Sequence, residues 1–253
     1  MEREAADRPE RLLAGLGIAS RREIARWIAA GRLAAGGRVL RGGERIRASD
    51  RLTLDGKPLI LPAEQAARRV LLYHKPVGEI VSRHDPDGRP SVFAALPPLR
   101  GGRWITVGRL DITTAGLLLF SSDGALAARL MHPRYGIERR YLVRVHGDAP
   151  PQRIEELTRG VRLEDGMARL SACAPLAKRP NDAANRWYRV SLEEGRNREL
   201  RRIFAAVGLE VSRLKRIGYG PISLPRGLPA GSWVELAAGE IAALDAAVGG
   251  HEA

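Results

Sequence analysis

The segment Gly108–Arg109–Leu110–Asp111–Ile112–Thr113–Thr114–Ala115–Gly116 sets a carboxylate and a guanidinium in a turn between two apolar stretches. A carboxylate fixed in such a turn serves as a nucleophile or base. An Asp that caps its own backbone in a Thr/Gly-rich hairpin accounts for it as well. Farther along, Glu194–Gly195–Arg196–Asn197–Arg198–Glu199–Leu200–Arg201–Arg202 holds four arginines within seven residues. On a helix, Arg198 lies beside Arg201 and Arg202. Three uses fit them: a solvated face, contact with RNA phosphates, or pairing of one Arg with a buried carboxylate. Ser212–Ile217 alternates apolar and basic side chains, as a strand with one wet basic face does. Tyr141, beside Arg139 and Arg140, reads either as a half-buried strand aromatic or as a platform for an unpaired base.

Other chemistries find less support. His132 sits where a helix must end before Pro133, and no second His stands at metal-ligand spacing, so no metal site is expected. Asp111 and Asp123 could pair as glycosidase carboxylates, but Ser121–Ser122–Asp123–Gly124 is better explained as a turn or helix cap. The chain has no P-loop, no GxGxxG after a strand and no GxSxG.

The elements that must position these residues divide the chain in two. In the first 57 residues, Arg11–Leu16 reads as a short helix and Arg21–Ala30 as a second one. Ser20 and Glu23 stand at capping-box spacing before it. Leu33–Leu40, Glu44–Ile46 and Arg51–Leu54 read as short strands. Residues 58–69 form a polar, Pro-containing linker. Beyond it, Val70–Tyr73, Trp104–Val107, Gly116–Ser121, Tyr141–His146, Trp187–Leu192 and Val211–Ile217 carry strand signals. Helical patterns fall at Ala125–Met131, Gln152–Arg159, Glu199–Val207 and Glu240–Val248. Several strands follow one another without a helix between them, which predicts an α+β fold with a mostly antiparallel mixed sheet.

Composition narrows the class. The 253 residues carry 42 Lys+Arg against 29 Asp+Glu, a net charge of +13, which points to nucleic acid or an anionic surface. Lysine stands only at 57, 75, 178 and 215, so 38 of the 42 cations are arginine. Between Arg8 and Lys57, twelve basic residues face five acidic ones, and Arg21, Arg22 and Arg26 cluster at a helix start. Cys173 is the only cysteine, which excludes an internal disulfide and a CxxC pair. No apolar run reaches the length of a membrane span, and the N-terminus has no secretory h-region, so a cytoplasmic setting is expected.

These residues also carry a resemblance. VGRLDITTAGLLLFSSDGALAARLMHP, EGRNRELRRIFAAVG and VSRLKRIGYGPISLPRGLP resemble, in order and spacing, the motifs of the RsuA/RluB-type ribosomal RNA pseudouridine synthases. LLYHKPVGEIVSRHDPDGRPSVFAALP resembles the start of that family's catalytic domain, and residues 9–57 resemble its N-terminal S4 RNA-binding domain. The likeness is nearest the RluB type, which modifies 23S RNA, with the 16S-modifying RsuA type as the near alternative. It implies a catalytic domain over 70–250 that isomerises uridine to pseudouridine without cofactor or metal. It further implies Asp111 as the catalytic carboxylate, Tyr141 stacking on the flipped base, and Arg201 ion-paired with Asp111. Leu214 would pack against the tyrosine, and Arg109 would hold or displace the flipped nucleotide. Arg198 and Lys215 are expected at the substrate, and Arg21, Arg22 and Arg26 on RNA through the S4-like domain. The implied partner is 23S RNA or a large-subunit precursor particle, with no DNA or membrane partner and a monomeric chain. A covalent route at C1′, attack on the uracil ring and a glycal route through C2′ all stay open, the glycal being preferred. The competing reading from another class is a non-catalytic ribosome assembly factor. Asp111, Tyr141 and Arg201 together argue against it, since a pure RNA binder gains nothing from a carboxylate facing phosphates.

Overall fold

The structure, a computed structural model, describes residues 6–61, 68–99, 102–147, 149–177 and 185–249. The chain forms two compact units, one of residues 1–70, 97–105 and 120–128, the other of 71–96, 106–119 and 129–253. The first unit therefore does not end at residue 57 but also takes in two later returns of the chain. Of the expected 58–69 linker, residues 62–67 lie outside the described residues.

In the first unit, helices α1 (Pro9–Gly15) and α2 (Arg21–Ala29) precede a four-stranded sheet. Ser20 caps α2 by accepting from the Glu23 amide at 3.1 Å, as the spacing predicts. The expected strand over Leu33–Leu40 is broken by a turn at Gly36–Gly37 into β1 (Leu33–Ala35) and β2 (Arg38–Val39). The strands β3 (Leu52–Leu54) and β4 (Lys57–Pro58) complete the order β2-β1-β3-β4. Glu44–Ile46 is not a strand; only Ile46 bridges to Asp7. Leu13, Ile24, Ile28, Leu33, Leu40, Ile46 and Leu52 form the core of this unit. Where α1 ends, Gly124 lies so close that an added Cβ would stand 2.7 Å from the Ala14 carbonyl.

The second unit is organised on a nine-stranded sheet. After β4 the elements in chain order are β5 (Val70–Lys75), β6 (Ile105–Val107), β7 (Thr114–Ser121), α3 (Gly124–Met131), β8 (Arg139–His146) and α4 (Pro151–Arg159), the end of β7 and the first part of α3 belonging to the first unit. A hairpin of β9 (Val161–Leu163) and β10 (Gly166–Ala168) follows, then β11 (Ala172–Pro175), β12 (Asn185–Leu192) and α5 (Glu199–Ala206). The chain continues through β13 (Val211–Tyr219), β14 (Ile222–Ser223), β15 (Trp233–Glu235) and α6 (Ala238–Gly249). The main sheet order is β11-β12-β8-β13-β7-β5-β15, with β14 on β13 and β6 on β7. The pairs β11/β12, β12/β8, β8/β13 and β15/β5 are antiparallel, and β13/β7 is parallel. This is the α+β mixed sheet expected from strands that follow one another directly.

Burial explains the patterning. Every residue of β5 is buried, the apolar VLLY as well as His74 and Lys75, while β8 alternates because one face stays open. Helix α5 buries Leu200, Ile203 and Phe204, the spacing of one helical stripe. At the parallel seam, Gly116 (φ +109°) faces the Arg216 backbone, and an added Cβ would stand 2.1 Å from the Arg216 carbonyl oxygen. Only glycine allows β7 and β13 to approach this closely.

Candidate active site

Asp111 sits in the turn entering β7, its side chain about one third exposed. The Thr114 amide donates to the Asp111 carbonyl at 3.0 Å, closing the turn on itself. A second tie was not singled out from sequence. Lys75, at the end of β5 and wholly buried, donates through Nζ to the carbonyls of Pro76 (2.9 Å), Asp111 (3.2 Å) and Thr114 (2.9 Å). Burial pushes its ammonium down to about 8, against the opposing pull of Glu79 and Asp111. The Gly78 amide donates to the Ile112 carbonyl at 2.8 Å, so the loop after β5 and the Asp111 turn brace each other. Tyr73 anchors that loop by donating to Glu79, its oxygens at 2.7 and 2.9 Å. Burial, then the Glu79 carboxylate, raises the Tyr73 phenol well above its usual value and keeps it a donor.

Opposite the turn stands the start of α5. Arg198 takes the left-handed conformation (φ 47°, ψ 29°) at the N-cap, a strained choice for a non-glycine residue. Its Nη1 lies 3.8 Å from Asp111 Oδ2. Arg201, expected to pair with Asp111, instead donates through Nη1 to the Val211 carbonyl (2.8 Å) and through Nη2 to Thr113 Oγ1 (3.2 Å). Its guanidinium is thus committed to β13 and to the turn's backbone neighbour, leaving Arg198 as the cation at the carboxylate. Burial first, then the Arg198 charge, lowers the Arg201 pKa, while Asp111 opposes the shift. Both cations therefore act on the same carboxylate field.

The lead-in to α5 is held from two sides. Arg139 donates to the carbonyls of Ile137 and Glu194, each at 3.1 Å, and to that of Glu193. Buried Glu199 accepts from the Arg196 amide at 3.0 Å, and burial raises its pKa. Arg202 grips Asp165 of the β9–β10 hairpin bidentately at 2.9 Å, so not all of this basic run is available for ligand.

Tyr141 is buried on β8, paired with Val190 on β12 and Arg216 on β13. Alternation puts Tyr141, Leu214 and Arg216 on one sheet face, with Leu214 in register with Thr114, three residues past Asp111. The buried Arg216 donates to the Leu117 carbonyl at 2.7 Å and lies over the Tyr219 ring. Lys215 points to the opposite face and is not brought to this cluster. Arg109 is exposed beside buried Leu110. Arg21, Arg22 and Arg26 are exposed on α2 of the first unit.

Two readings weighed from sequence resolve structurally. Asp123 caps α3, accepting from the amides of Ala125 (2.7 Å) and Leu126 (3.1 Å). His132 accepts from the Arg134 amide at 3.2 Å in a 3-10 turn. Among the described residues no cluster of three His, Cys, Asp or Glu could hold a metal ion, and no helix is long and apolar enough to cross a membrane.

Comparison with known proteins agrees with this architecture. The family model described as RNA pseudouridylate synthase matches residues 69–206. Ribosomal large subunit pseudouridine synthase B of Yersinia pestis is 50% identical over 90% of this chain and 71% of that protein. The protein of the same name from Escherichia coli (strain K12) is 49% identical over 91% of this chain and 79% of its own. A crystal structure of a pseudouridylate synthase superposes with a TM-score of 0.64 over 93% of this chain and 98% of that one. At 23% identity it speaks for the fold alone.

Proposed function

This chain belongs to the RNA pseudouridylate synthase family, an isomerase family, and from that premise we propose that it converts one uridine of 23S ribosomal RNA to pseudouridine. The large-subunit substrate is inferred from the names of relatives about half identical to it along nearly its whole length. Isomerisation breaks the N1–C1′ bond, rotates the uracil and joins C5 to C1′. Atoms and electrons balance within the nucleotide, so the reaction needs a positioned carboxylate and a platform for the detached base.

The carrying observation is the Asp111 turn, braced from beneath by Lys75 and faced by Arg198 at 3.8 Å. A carboxylate carried on a turn whose backbone is tied this firmly starts close to an attack geometry, where placement is worth several kcal/mol. Asp111 acts on the sugar, either at C1′ or on the C2′ proton. Tyr141 holds the flipped base by stacking, worth about 1–3 kcal/mol, and Leu214 backs its ring. Flipping costs a few kcal/mol, which phosphate contacts offset. Arg109, exposed at the mouth of the turn, contacts the displaced nucleotide.

Residues 9–57 we assign as an S4-like RNA-binding domain. Its cations sort into two groups. Arg32 and Arg38 are taken up by Asp55 and Glu44 at 2.6 and 2.7 Å. Arg21 and Arg22 stand exposed in the first turn of α2, where helix N–H groups also favour phosphate, and Arg26 is exposed in its last turn.

The test is pseudouridine mapping of unmodified ribosomal RNA treated with the protein or its Asp111→Asn variant. One new site in 23S RNA, absent with the variant, is expected. A site in 16S RNA would correct the substrate. Tight binding to precursor particles with no modification anywhere would replace the enzyme with an assembly factor.

A further inference from the structure

We infer that the open face of β11, β12, β8 and β13, opposite the face carrying Tyr141 and Leu214, is a second RNA-binding surface that takes phosphate backbone distant from the target uridine. The inference rests on the reading of the substrate as RNA. Strand register sets out the surface row by row. Arg189, Leu142 and Lys215 stand side by side on β12, β8 and β13, and Trp187, Arg144 and Arg213 form the next row. Arg189 and Arg213 are exposed and the other four are half-buried, whereas Tyr141, Val143, Leu214 and Arg216 on the other face are all buried. Strand spacing puts the cations about 5–10 Å apart across the sheet and about 7 Å apart along it.

Three features argue that this charge serves a ligand. The four strands contain no Asp or Glu at all; the nearest acids in sequence, Glu138, Glu193 and Glu210, lie just outside β8, β12 and β13. Arg213 stands directly opposite Arg144, a like-charge pair that weakens a sheet unless an anion lies between them. Several arginines elsewhere in the same unit are taken up by carboxylates, as Arg153 by Glu156, Arg159 by Glu155 and Arg202 by Asp165. Here, among the described residues, the Arg144 guanidinium meets the Ser212 hydroxyl, at 3.0 Å, rather than a carboxylate. A polyanion complements such a face, and half-buried Trp187 adds a ring on which an unpaired base can stack. Ribosomal RNA long enough to pass from one sheet face to the other reaches both.

The test uses the full chain with Arg144→Gln, Arg189→Gln and Arg213→Gln combined, and two transcripts of 23S RNA. One is a minimal stem-loop around the modified uridine and the other a fragment retaining its neighbouring helices. Binding is measured against salt, and single-turnover pseudouridine formation at saturating protein. The variant should bind the long fragment about tenfold or more weakly, with a salt slope shallower by about 2–3, near 0.9 per lost phosphate contact. Stem-loop affinity and the saturated rate should not change, and the triple Arg→Lys variant should restore binding. Unchanged affinity and slope on the long fragment would overturn the inference. So would a loss seen only with ribosomal particles and not with naked RNA, which would assign the face to an acidic protein. Because affinity is read independently of turnover, wild-type protein that binds but modifies nothing refutes the proposed reaction and leaves this result standing on its own.

Discussion

Lys75→Met replaces a buried ammonium with an apolar side chain of similar length. It separates holding the Asp111 turn from simply stabilising the fold. Three carbonyls lose a charged donor, each such bond being worth about 1.5–3 kcal/mol. Asp111 keeps the Thr114 amide on its carbonyl, so the turn does not open completely. Removing the charge also relieves an unfavourable burial, visible in the ammonium's fall to about 8. These effects largely offset, leaving a net destabilisation of about 2 kcal/mol, or about 4–8 °C in Tm. Placement is less forgiving, since a shift of about 1 Å at a reacting group costs up to 100-fold in rate. The expected result is a kcat lower by about 100-fold with KM for RNA little changed, measured by single-turnover pseudouridine formation well below the variant's Tm. The pH dependence gives an independent check. As pH rises through about 8, the folded protein's Lys75 loses its proton and one of its three donors, so wild-type turnover should decline there. The variant should lack that limb. Stability moves the other way, because between about 8 and the ordinary lysine value of 10.5 the unfolded chain binds the extra proton and the fold gains as pH rises. A variant that keeps kcat within threefold of wild type while losing stability would refute the positioning role.

Gly116→Ala should lower stability by at least about 3 kcal/mol, combining a Cβ 2.1 Å from the Arg216 carbonyl with a left-handed backbone, and calorimetry should show the loss. Glu199→Gln should raise Tm at pH 7. The buried carboxyl has a raised pKa, so the folded state holds its proton longer, and that stability is present below the unfolded value of 4.5 and lost as pH rises through the folded one; the amide variant should show no such slope. Replacing Arg21, Arg22 and Arg26 by Ala should weaken RNA binding at near-physiological salt far more than turnover of bound RNA, with a salt slope shallower by about 2–3. Binding unchanged under those conditions would remove α2 from the RNA interface.

What could be read from the sequence was what local rules determine. Ser20 and Glu23 mark α2, the helical pattern over Glu199–Val207 marks α5, and alternation over Ser212–Ile217 marks the open face of β13 that carries Arg213 and Lys215. The hairpin β9–β10 escaped because its strands are three residues each and it is held by a distant arginine, Arg202 on Asp165. The break in Leu33–Leu40 is legible in Gly36–Gly37, two adjacent glycines that both take positive φ. The partner of Asp111 could not be read, since Arg198 and Arg201 lie on the same stretch of helix. Which one meets the carboxylate depends on the left-handed turn at Arg198 and on the hold of Val211 and Thr113 on Arg201.

Lys75 has its role hidden in the sequence by the chain's basic composition. It looks like one more cation on a basic chain, yet only four of 42 are lysine. Where arginine is the default, a lysine marks a place where a planar five-donor fork does not fit and a compact three-donor ammonium does. Three carbonyls converging on Nζ in a fully buried site form such a place. Lys215 stands half-buried between Leu142 and Ala115 on a cationic sheet face. The rare cation, not the abundant one, carried the positional information. In this chain its rarest use lies directly beneath the carboxylate on which the proposed chemistry depends.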